Sequence, residues 1–248
     1  MKKILLKFVS FFIINKKVFN ITVLGLIQIV RKVFSMGIDL DKELLEKHFR
    51  VTIFGSARIE KGDPIYTSIF ELAKMISEAG MDLVTGGGPG LMNAASEGHH
   101  AGRKDEKAHS VGLRITLPFE QEVAAHLDIK KEFDRFSSRL DNFMRLSNAV
   151  VVAPGGVGTL LELLYTWQLM QVKYICNVPI ILLGEMWIDL INWIKKWPLR
   201  NELVNQEDIE LLFLAKNSKE AFNIIQEAYD AYKIKDAKFC LNYKKYKI

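Results

Sequence analysis

Apolar and polar positions along the chain repeat in the order strand, loop, helix. Predicted strands lie at 51–55, 81–85, 110–116, 149–152 and 178–183, and the Val150-Val-Val152 run is uninterrupted and β-branched, as in a strand buried on both faces. Apolar residues at helical spacing follow at 64–78, 91–101, 136–146, 187–197 and 218–232, and a further helix follows the 149–152 strand. The region between 116 and 136 has no clear period. This order predicts an α/β fold with a mainly parallel sheet.

The loop after the 149–152 strand carries the strongest chemical signal. It runs Pro154-Gly-Gly-Val-Gly-Thr-Leu-Leu-Glu162 and opens a helix. Gly155, Gly156 and Gly158 let the backbone approach a ligand, and the helix start offers unpaired N–H groups with the positive end of its dipole. The segment therefore predicts a phosphate cradle with Thr159 and the Glu162 carboxylate beside it.

A second glycine loop, Gly86-Gly-Gly-Pro-Gly90, follows the 81–85 strand. Both loops leave carboxyl ends of predicted parallel strands, the edge at which open α/β sheets bind ligands. Either loop alone could be a tight turn that binds no ligand. Two such loops at the same edge make this explanation weaker. Neither loop has the Lys-Ser/Thr of a P-loop or a GxGxxG pattern with a ribose-binding acid, which disfavours nucleotide triphosphate hydrolysis and dinucleotide binding.

Four charged residues near this edge are candidates for the site, and each also has a purely structural interpretation. Glu162 completes Thr159-Leu-Leu-Glu162, which fits either a helix capping box or a catalytic carboxylate. Arg139 is either a fixed cation reaching over the loop or a solvated helix charge, and the same holds for Arg145. Glu120 follows the third predicted strand and taken alone is a loop acid.

Metal binding is disfavoured by the spacing of the histidines. His99 and His100 are adjacent and face different sides of a helix, and His109 lies apart from both. Two cysteines, Cys176 and Cys240, are too few for a disulfide framework or a zinc site, and their number fits a reducing cytoplasm. We therefore predict no metal and a cytoplasmic location.

Charge is distributed unevenly along the 248 residues, whose formal net charge is +5. Residues 1–35 hold seven basic residues and no acid, so the remainder is slightly acidic. A nucleic-acid partner is therefore not predicted, because such a domain would carry a basic stripe. The composition, 49% hydrophobic and 25% charged, is that of an ordinary globular domain.

The first segment of the chain stands apart from the domain. Its longer apolar run, 18–30, falls below the roughly 18 residues that a membrane-spanning helix needs. A packed or dimerising helix, a membrane-surface helix and an export signal all remain open. We predict a basic, apolar, helical extension at 1–49, a single Rossmann-like three-layer domain at 50–232 and a loose lysine-rich tail at 233–248.

Taken together, these motifs resemble the LONELY GUY (LOG) family of nucleotide 5'-monophosphate phosphoribohydrolases, whose members are often labelled lysine decarboxylases. The resemblance covers about residues 50–230. Its hallmark, PGGxGTxxE, is present in full at Pro154 to Glu162, with the family arginine upstream at Arg139. Similar segments are Phe54-Gly-Ser56, Gly86-Gly-Gly-Pro-Gly-Leu-Met92 and Leu117-Pro-Phe-Glu120.

The resemblance implies hydrolysis of the N-glycosidic bond of a nucleoside 5'-monophosphate, AMP or a cytokinin riboside 5'-monophosphate, without a metal or organic cofactor. Arg139 and Glu162 would be the catalytic pair, and Glu120 would contact the substrate. The active protein would be a homodimer with sites near the subunit interface. The remaining implied substrate- and phosphate-binding residues are Ser56, Gly86, Gly87, Gly88, Gly90, Met92, Gly155, Gly156, Gly158 and Thr159.

One departure from the family pattern bears on substrate choice. The family usually has a substrate-contacting lysine after the arginine, and this chain has Leu140. A non-catalytic nucleotide-binding or pterin-cofactor carrier protein of similar fold is therefore the alternative. A lysine decarboxylase is disfavoured, because no lysine stands in a context typical of a cofactor-linking residue.

Overall fold

The computed structural model describes residues 48–104, 108–116, 123–234 and 242–246. Seven strands form one sheet in the order β4-β3-β2-β1-β5-β6-β7, and each neighbouring pair is parallel. The predicted α/β class with a parallel sheet is confirmed. The strands are β1 Arg50–Phe54, β2 Asp82–Thr85, β3 Ser110–Ile115, β4 Ile129–Phe133, β5 Ala149–Val152, β6 Ile180–Leu183 and β7 Leu212–Ala215.

Helices cover both faces of the sheet. Val51 and Ile53 of β1 join one core cluster with residues of the first two helices and of the helix that follows β7. The alternate residue Phe54 points to the other face and meets Phe143 with ring centroids 4.9 Å apart. The helices are α1 Pro64–Glu78, α2 Leu91–Gly102, α3 Phe136–Leu146, α4 Val157–Gln171, α5 Met186–Ile194, α6 Gln206–Ile209, α7 Ser218–Lys233 and α8 Asn242–Lys245, with a π-helical turn at Lys195–Leu199.

Helix α1 shows how local sequence sets an element's ends. Asp63 caps its start by accepting a hydrogen bond from the Ile65 backbone N–H at 2.7 Å, and Pro64 occupies the first turn, where its missing N–H costs nothing. Gly80, with φ +78°, follows its end. The buried face includes Ile69, Leu72 and Ile76, and full burial of such side chains stabilises the fold by about 1.5–3 kcal/mol each.

The sequence pattern missed the two edge strands, β4 and β7. The central three residues of β4 are exposed, and only its two ends are buried. Strand β7 likewise has two exposed residues, Phe213 and Leu214, at its centre. An edge strand has a neighbour on one side only, so its sequence need not form the continuous apolar run that marks β5 or β6.

The structure covers little of the segments predicted on either side of the domain. The predicted extension at 1–49 lies outside the described residues, apart from His48 and Phe49. In the tail, Asn242 is 1% and Tyr246 is 6% exposed, whereas the loose character of the tail as a whole stays a prediction. No helix in the described part of the chain has the length and apolar character needed to cross a bilayer.

Cys176 bears on the compartment that was predicted from the cysteine content. Its side chain is buried and takes part in a disulfide. Disulfides persist in oxidising compartments and are rare in the cytosol. The cysteine content therefore gives no support to the predicted cytoplasmic location.

Candidate active site

A crevice opens at the carboxyl edge of the sheet, between strands β1 and β5. The chain passes from β1 to β2, β3 and β4 on one side and then returns to β5 on the other, so the loops after β1 and β5 diverge. The cavity there has a volume of about 480 Å³, within the roughly 300–1,000 Å³ of small-molecule sites. Its lining consists of Ile53, Phe54, Gly55, Ser56, Ala57, Arg58, Gly86, Met92, Arg139, Gly156, Val157, Gly158, Thr159 and Glu162.

The fold brings most of the predicted site residues to this cavity. Both predicted catalytic residues line it, together with Ser56, Gly86, Met92, Gly156, Gly158 and Thr159. Gly87, Gly88, Gly90 and Gly155 belong to the same loops but do not line the cavity. Glu120 lies outside the described residues, so its predicted contact with substrate stays a prediction.

Gly86 is required by close packing against the site. A Cβ on Gly86 would lie 2.7 Å from the Met92 sulfur and would clash with the Arg139 guanidinium. Only glycine lets β2 end directly beneath that cation. Gly90 has φ +68° and joins this loop to the one after β1, since the Leu91 N–H that follows it donates to the Ser56 carbonyl at 2.9 Å.

The α4 start is open to a ligand. Helix α4 begins at Val157, with Gly156 as its N-cap residue and no side chain bonded to its first N–H groups. A Cβ on Gly156 or Gly158 would meet no protein atom within 4 Å, so both glycines face free space. Since the helix starts before Thr159, the capping-box interpretation of Thr159 and Glu162 does not hold. Unpaired N–H groups at a helix start favour an anion.

Arg139 is held by three contacts and is not a solvated helix charge. Its Nε donates to the Leu113 carbonyl at 2.7 Å, and its Nη1 donates to Glu162 Oε1 at 3.2 Å. The guanidinium also lies 5.0 Å from the centre of the Phe143 ring. The arginine is 9% exposed, so β3, α3 and α4 together fix the cation at the wall of the cavity.

Burial shifts the titration of this ion pair. It raises the pKa of the Glu162 carboxyl to about 7, although the Arg139 charge and hydrogen bond oppose the shift. Burial also lowers the pKa of Arg139, against the attraction of Glu162. Arginine stays charged at any physiological pH, so Glu162 is the member of the pair that changes protonation state near neutrality. A carboxyl group that titrates near neutral pH is suited to acid–base chemistry.

Arg58 is a site residue that the sequence analysis missed. It is an exposed residue of the loop after β1 and lines the cavity, and its backbone N–H donates to the Ser56 hydroxyl at 3.1 Å. The Gly-Ser of residues 55–56 marked the loop but not the arginine. Leu140, where the family usually has lysine, is 5% exposed and does not line the cavity; neither does Arg145.

The histidines lie away from the cavity. Buried His99 has its Nε2 3.0 Å from the Met81 carbonyl, and burial lowers its pKa. In one cluster, the Nδ1 atoms of His48 and His109 lie 3.6 and 3.9 Å from Asp82 Oδ1. The Arg50 Nε lies 3.5 Å from the other Asp82 oxygen and already supplies positive charge, which favours an ion-pair cluster over a metal site.

Comparison with known families identifies the chain. A family model described as "Possible lysine decarboxylase" matches residues 92–225, which contain both members of the ion pair and the glycine loop before α4. The chain belongs to this family. The resemblance drawn from the PGGxGTxxE motif is therefore confirmed at the level of the family.

Two relatives match parts of the chain. One, from rice (Oryza sativa subsp. japonica), is named "Probable cytokinin riboside 5'-monophosphate phosphoribohydrolase" and is 32% identical over 130 residues, covering 50% of this chain and 51% of the relative. The other, a pyrimidine/purine nucleotide 5'-monophosphate nucleosidase of Escherichia coli K12, is 27% identical over 126 residues, covering 46% of this chain and 26% of the relative. The matched part thus spans about half of the first relative and a quarter of the second.

Solved structures share the fold at low identity. The molybdenum cofactor binding protein of Rippkaea orientalis superposes with a TM-score of 0.55 at 19% identity, covering 73% of this chain and 98% of the other. The molybdenum cofactor carrier protein of Chlamydomonas reinhardtii gives 0.54 at 21% identity, with 74% and 99% covered. At this identity the likeness concerns the fold alone.

Proposed function

We propose that the protein hydrolyses the N-glycosidic bond of a nucleoside 5'-monophosphate, AMP or a cytokinin riboside 5'-monophosphate, to a free base and ribose 5-phosphate. One observation carries the proposal: a buried Glu162–Arg139 pair lines a cavity beside the open N-terminus of α4. The names of the rice and Escherichia coli relatives support it, because both describe reactions of nucleoside 5'-monophosphates.

The substrate phosphate is assigned to the start of α4. Gly156 and Gly158 at the start of the helix line the cavity, and the unpaired N–H groups and dipole of a helix start favour a negative charge there. Arg58 on the opposite loop adds a cation, and its charge is not matched by a second acid in the cavity lining. An anionic substrate therefore enters a cavity whose lining carries a net positive charge.

The ribose then lies between the phosphate cradle and Glu162. As the bond between C1' and the base nitrogen breaks, its electron pair leaves with the base, which takes up a proton, and positive charge develops on the ribose. The ionised Glu162 stabilises this oxocarbenium-like charge and orients the water whose oxygen bonds to C1' and which gives up a proton. Arg139 keeps the carboxylate in place.

Base release from purified full-length protein tests the proposal. AMP, an N6-modified AMP and the other purine and pyrimidine monophosphates are incubated with the protein, and free base is measured by chromatography. Glu162→Gln should lose activity by at least about 10²-fold, whereas the control Glu185→Gln, an exposed acid outside the cavity, should keep it. No release from any monophosphate would remove the proposed reaction.

The rival function, a nucleotide or pterin-cofactor carrier, predicts a different result from the same protein. Calorimetry would then show tight binding of AMP or of a pterin without any free base over hours. Burial of Glu162 beside Arg139 argues for the hydrolase, because a carrier has no need of a carboxyl group whose pKa is raised to about 7.

The homodimer is proposed from an exposed apolar face on α4. Val157, Leu161 and Leu164 lie on one side of the helix and are 85%, 44% and 47% exposed. Such a stripe, of which Val157 lines the cavity, is suited to a second copy of the chain. Leu164→Glu should yield a monomer in analytical ultracentrifugation. The control Leu203→Glu makes the same substitution at an exposed leucine outside α4 and should stay dimeric. A wild-type monomer at micromolar concentration would contradict the dimer.

The cytoplasmic location and a membrane-surface contact of the 1–49 segment stay proposals. The contact rests on the basic, apolar composition of that segment. Full-length protein should sediment with vesicles containing anionic lipid at low salt and stay in solution with neutral vesicles. Equal behaviour with both kinds of vesicle would count against the contact.

A further inference from the structure

The two helices that carry the ion pair are joined at a second place. Arg139 lies on α3 and Glu162 on α4, and two and three residues further along lie Asp141 and Tyr165. The Tyr165 hydroxyl donates to Asp141 Oδ1 at 2.6 Å. A second polar contact thus joins the same two helices, formed by residues that do not line the cavity.

The 242–246 segment completes this second contact. The Tyr246 hydroxyl also donates to Asp141 Oδ1 at 2.6 Å and lies 3.2 Å from the Tyr165 hydroxyl. Tyr246 is 6% exposed. Burial and the neighbouring Asp141 raise the pKa of its phenol, so the hydroxyl remains a donor at every physiological pH.

Asn242 anchors the segment at its other end. Its Oδ1 accepts a hydrogen bond from the Cys176 N–H at 2.7 Å, and its Nδ2 donates to the Ser147 carbonyl at 3.0 Å. Ser147 directly follows α3, and its Oγ lies 2.6 Å from the Thr52 hydroxyl of β1. The segment is therefore tied to the end of α3, to the sheet and to α4 at once.

We propose that residues 242–246 form a clasp in which Tyr246, through Asp141 and Tyr165, sets the spacing of α3 and α4 and so the position of Glu162 relative to Arg139. Tyr246 is a positioning residue and does not touch the substrate. The assignment to catalysis rests on the proposed function, whereas the effect on the Glu162–Arg139 pair does not. The sequence gives no sign of this role, because a lysine-rich stretch is typical of a solvated tail.

The test compares Tyr246→Phe with Tyr174→Phe. Both changes remove one phenolic oxygen, and Tyr174 packs edge-on against Tyr246 with ring centroids 5.5 Å apart. Tyr246→Phe should lower kcat for base release about tenfold with KM within about twofold, because a small displacement of catalytic groups slows chemistry more than binding. Tyr174→Phe should match the wild type in both constants.

A titration separates positioning from general stability. With less support from Arg139, the pKa of Glu162, followed by NMR of its labelled carboxyl carbon, should rise by about 0.5 in Tyr246→Phe and stay unchanged in Tyr174→Phe. In an Asp141→Ala background, Tyr246→Phe should cause no further loss of kcat, since its hydroxyl acts through Asp141.

The experiments on Tyr246→Phe test the clasp separately from the proposed reaction. A Tyr246→Phe protein with lower melting temperature but wild-type kcat and unchanged Glu162 titration would overturn the clasp. Additive losses in the double variant would overturn the route through Asp141. If wild-type protein releases no base, the proposed reaction fails, and the Glu162 titration alone then decides the clasp.

Discussion

Arg139 donates to Glu162 at 3.2 Å although the two residues lie on different helices and 23 positions apart in sequence. The pair lies at the carboxyl edge of the sheet, where the strand order reverses between β1 and β5, and its side chains are only 11% and 12% exposed. Both members of such a pair lose hydration, so their mutual attraction alone does not offset the cost of burial. The neighbouring groups that bond to the pair therefore contribute to its stability.

The activity should depend on the protonation of Glu162. Because the proposed mechanism uses the ionised carboxylate to stabilise the developing positive charge, kcat/KM should rise with pH through about 7, the value to which burial raises the pKa of Glu162. Initial rates from pH 5 to 9 with AMP measure the profile. An acid limb centred near 4.5 would show that Glu162 titrates as an exposed acid does.

Stability should depend on pH through the same group. The pKa is higher in the folded protein, about 7, than its ordinary value of 4.5, so between these values the folded state binds the extra proton. The free energy of unfolding should therefore fall as pH rises from 4.5 to 7, by about 3 kcal/mol from this residue. Urea titrations of wild type and Glu162→Gln at several pH values isolate the effect. If the two proteins keep a constant difference across this range, the raised pKa is wrong.

Gly86→Ala should damage both packing and catalysis. The added methyl group would meet the Met92 sulfur and the fixed Arg139 guanidinium. We expect a stability loss of about 1–3 kcal/mol from overpacking and a fall in kcat of more than tenfold. Gly156→Ala is the contrasting variant, since its methyl group meets no protein atom but enters the ligand space. It should raise KM at unchanged stability, and equal melting temperatures of Gly86→Ala and wild type would contradict the packing argument.

Arg58 should govern substrate affinity more than chemistry. Arg58→Gln should raise KM for AMP about tenfold and leave kcat within about twofold, because in the proposed binding mode the arginine attracts the phosphate and does not touch the bond that breaks. The increase in KM should shrink at high salt. Lys61→Gln, which removes the same charge from the same loop outside the cavity, is the control. A loss of kcat at unchanged KM in Arg58→Gln would place the arginine in the chemistry.

Some elements could be predicted from the local sequence, and others depend on tertiary contacts. Strand β5 and its glycine loop were predictable because Val150, Val151 and Val152 are consecutive, β-branched and apolar, and because a PGGxGTxxE segment has local geometry of its own. Strand β4 was not, since three of its five residues are polar and exposed at the sheet edge. Arg58 was missed for a related reason: no local pattern distinguishes an arginine that faces a cavity from one that faces solvent.

The amino-acid sequence by itself determined the α/β class, the two glycine loops, the family and the candidates Arg139 and Glu162, all of which rest on neighbouring residues. Only the tertiary structure decided that Glu162 bonds to Arg139 and does not cap its helix, that burial raises its pKa to about 7, and that Tyr246 packs against Asp141. The physical reason is that the hydration and the hydrogen-bond partners of a side chain depend on which distant segments pack against it. The order of the strands in the sheet determines those contacts.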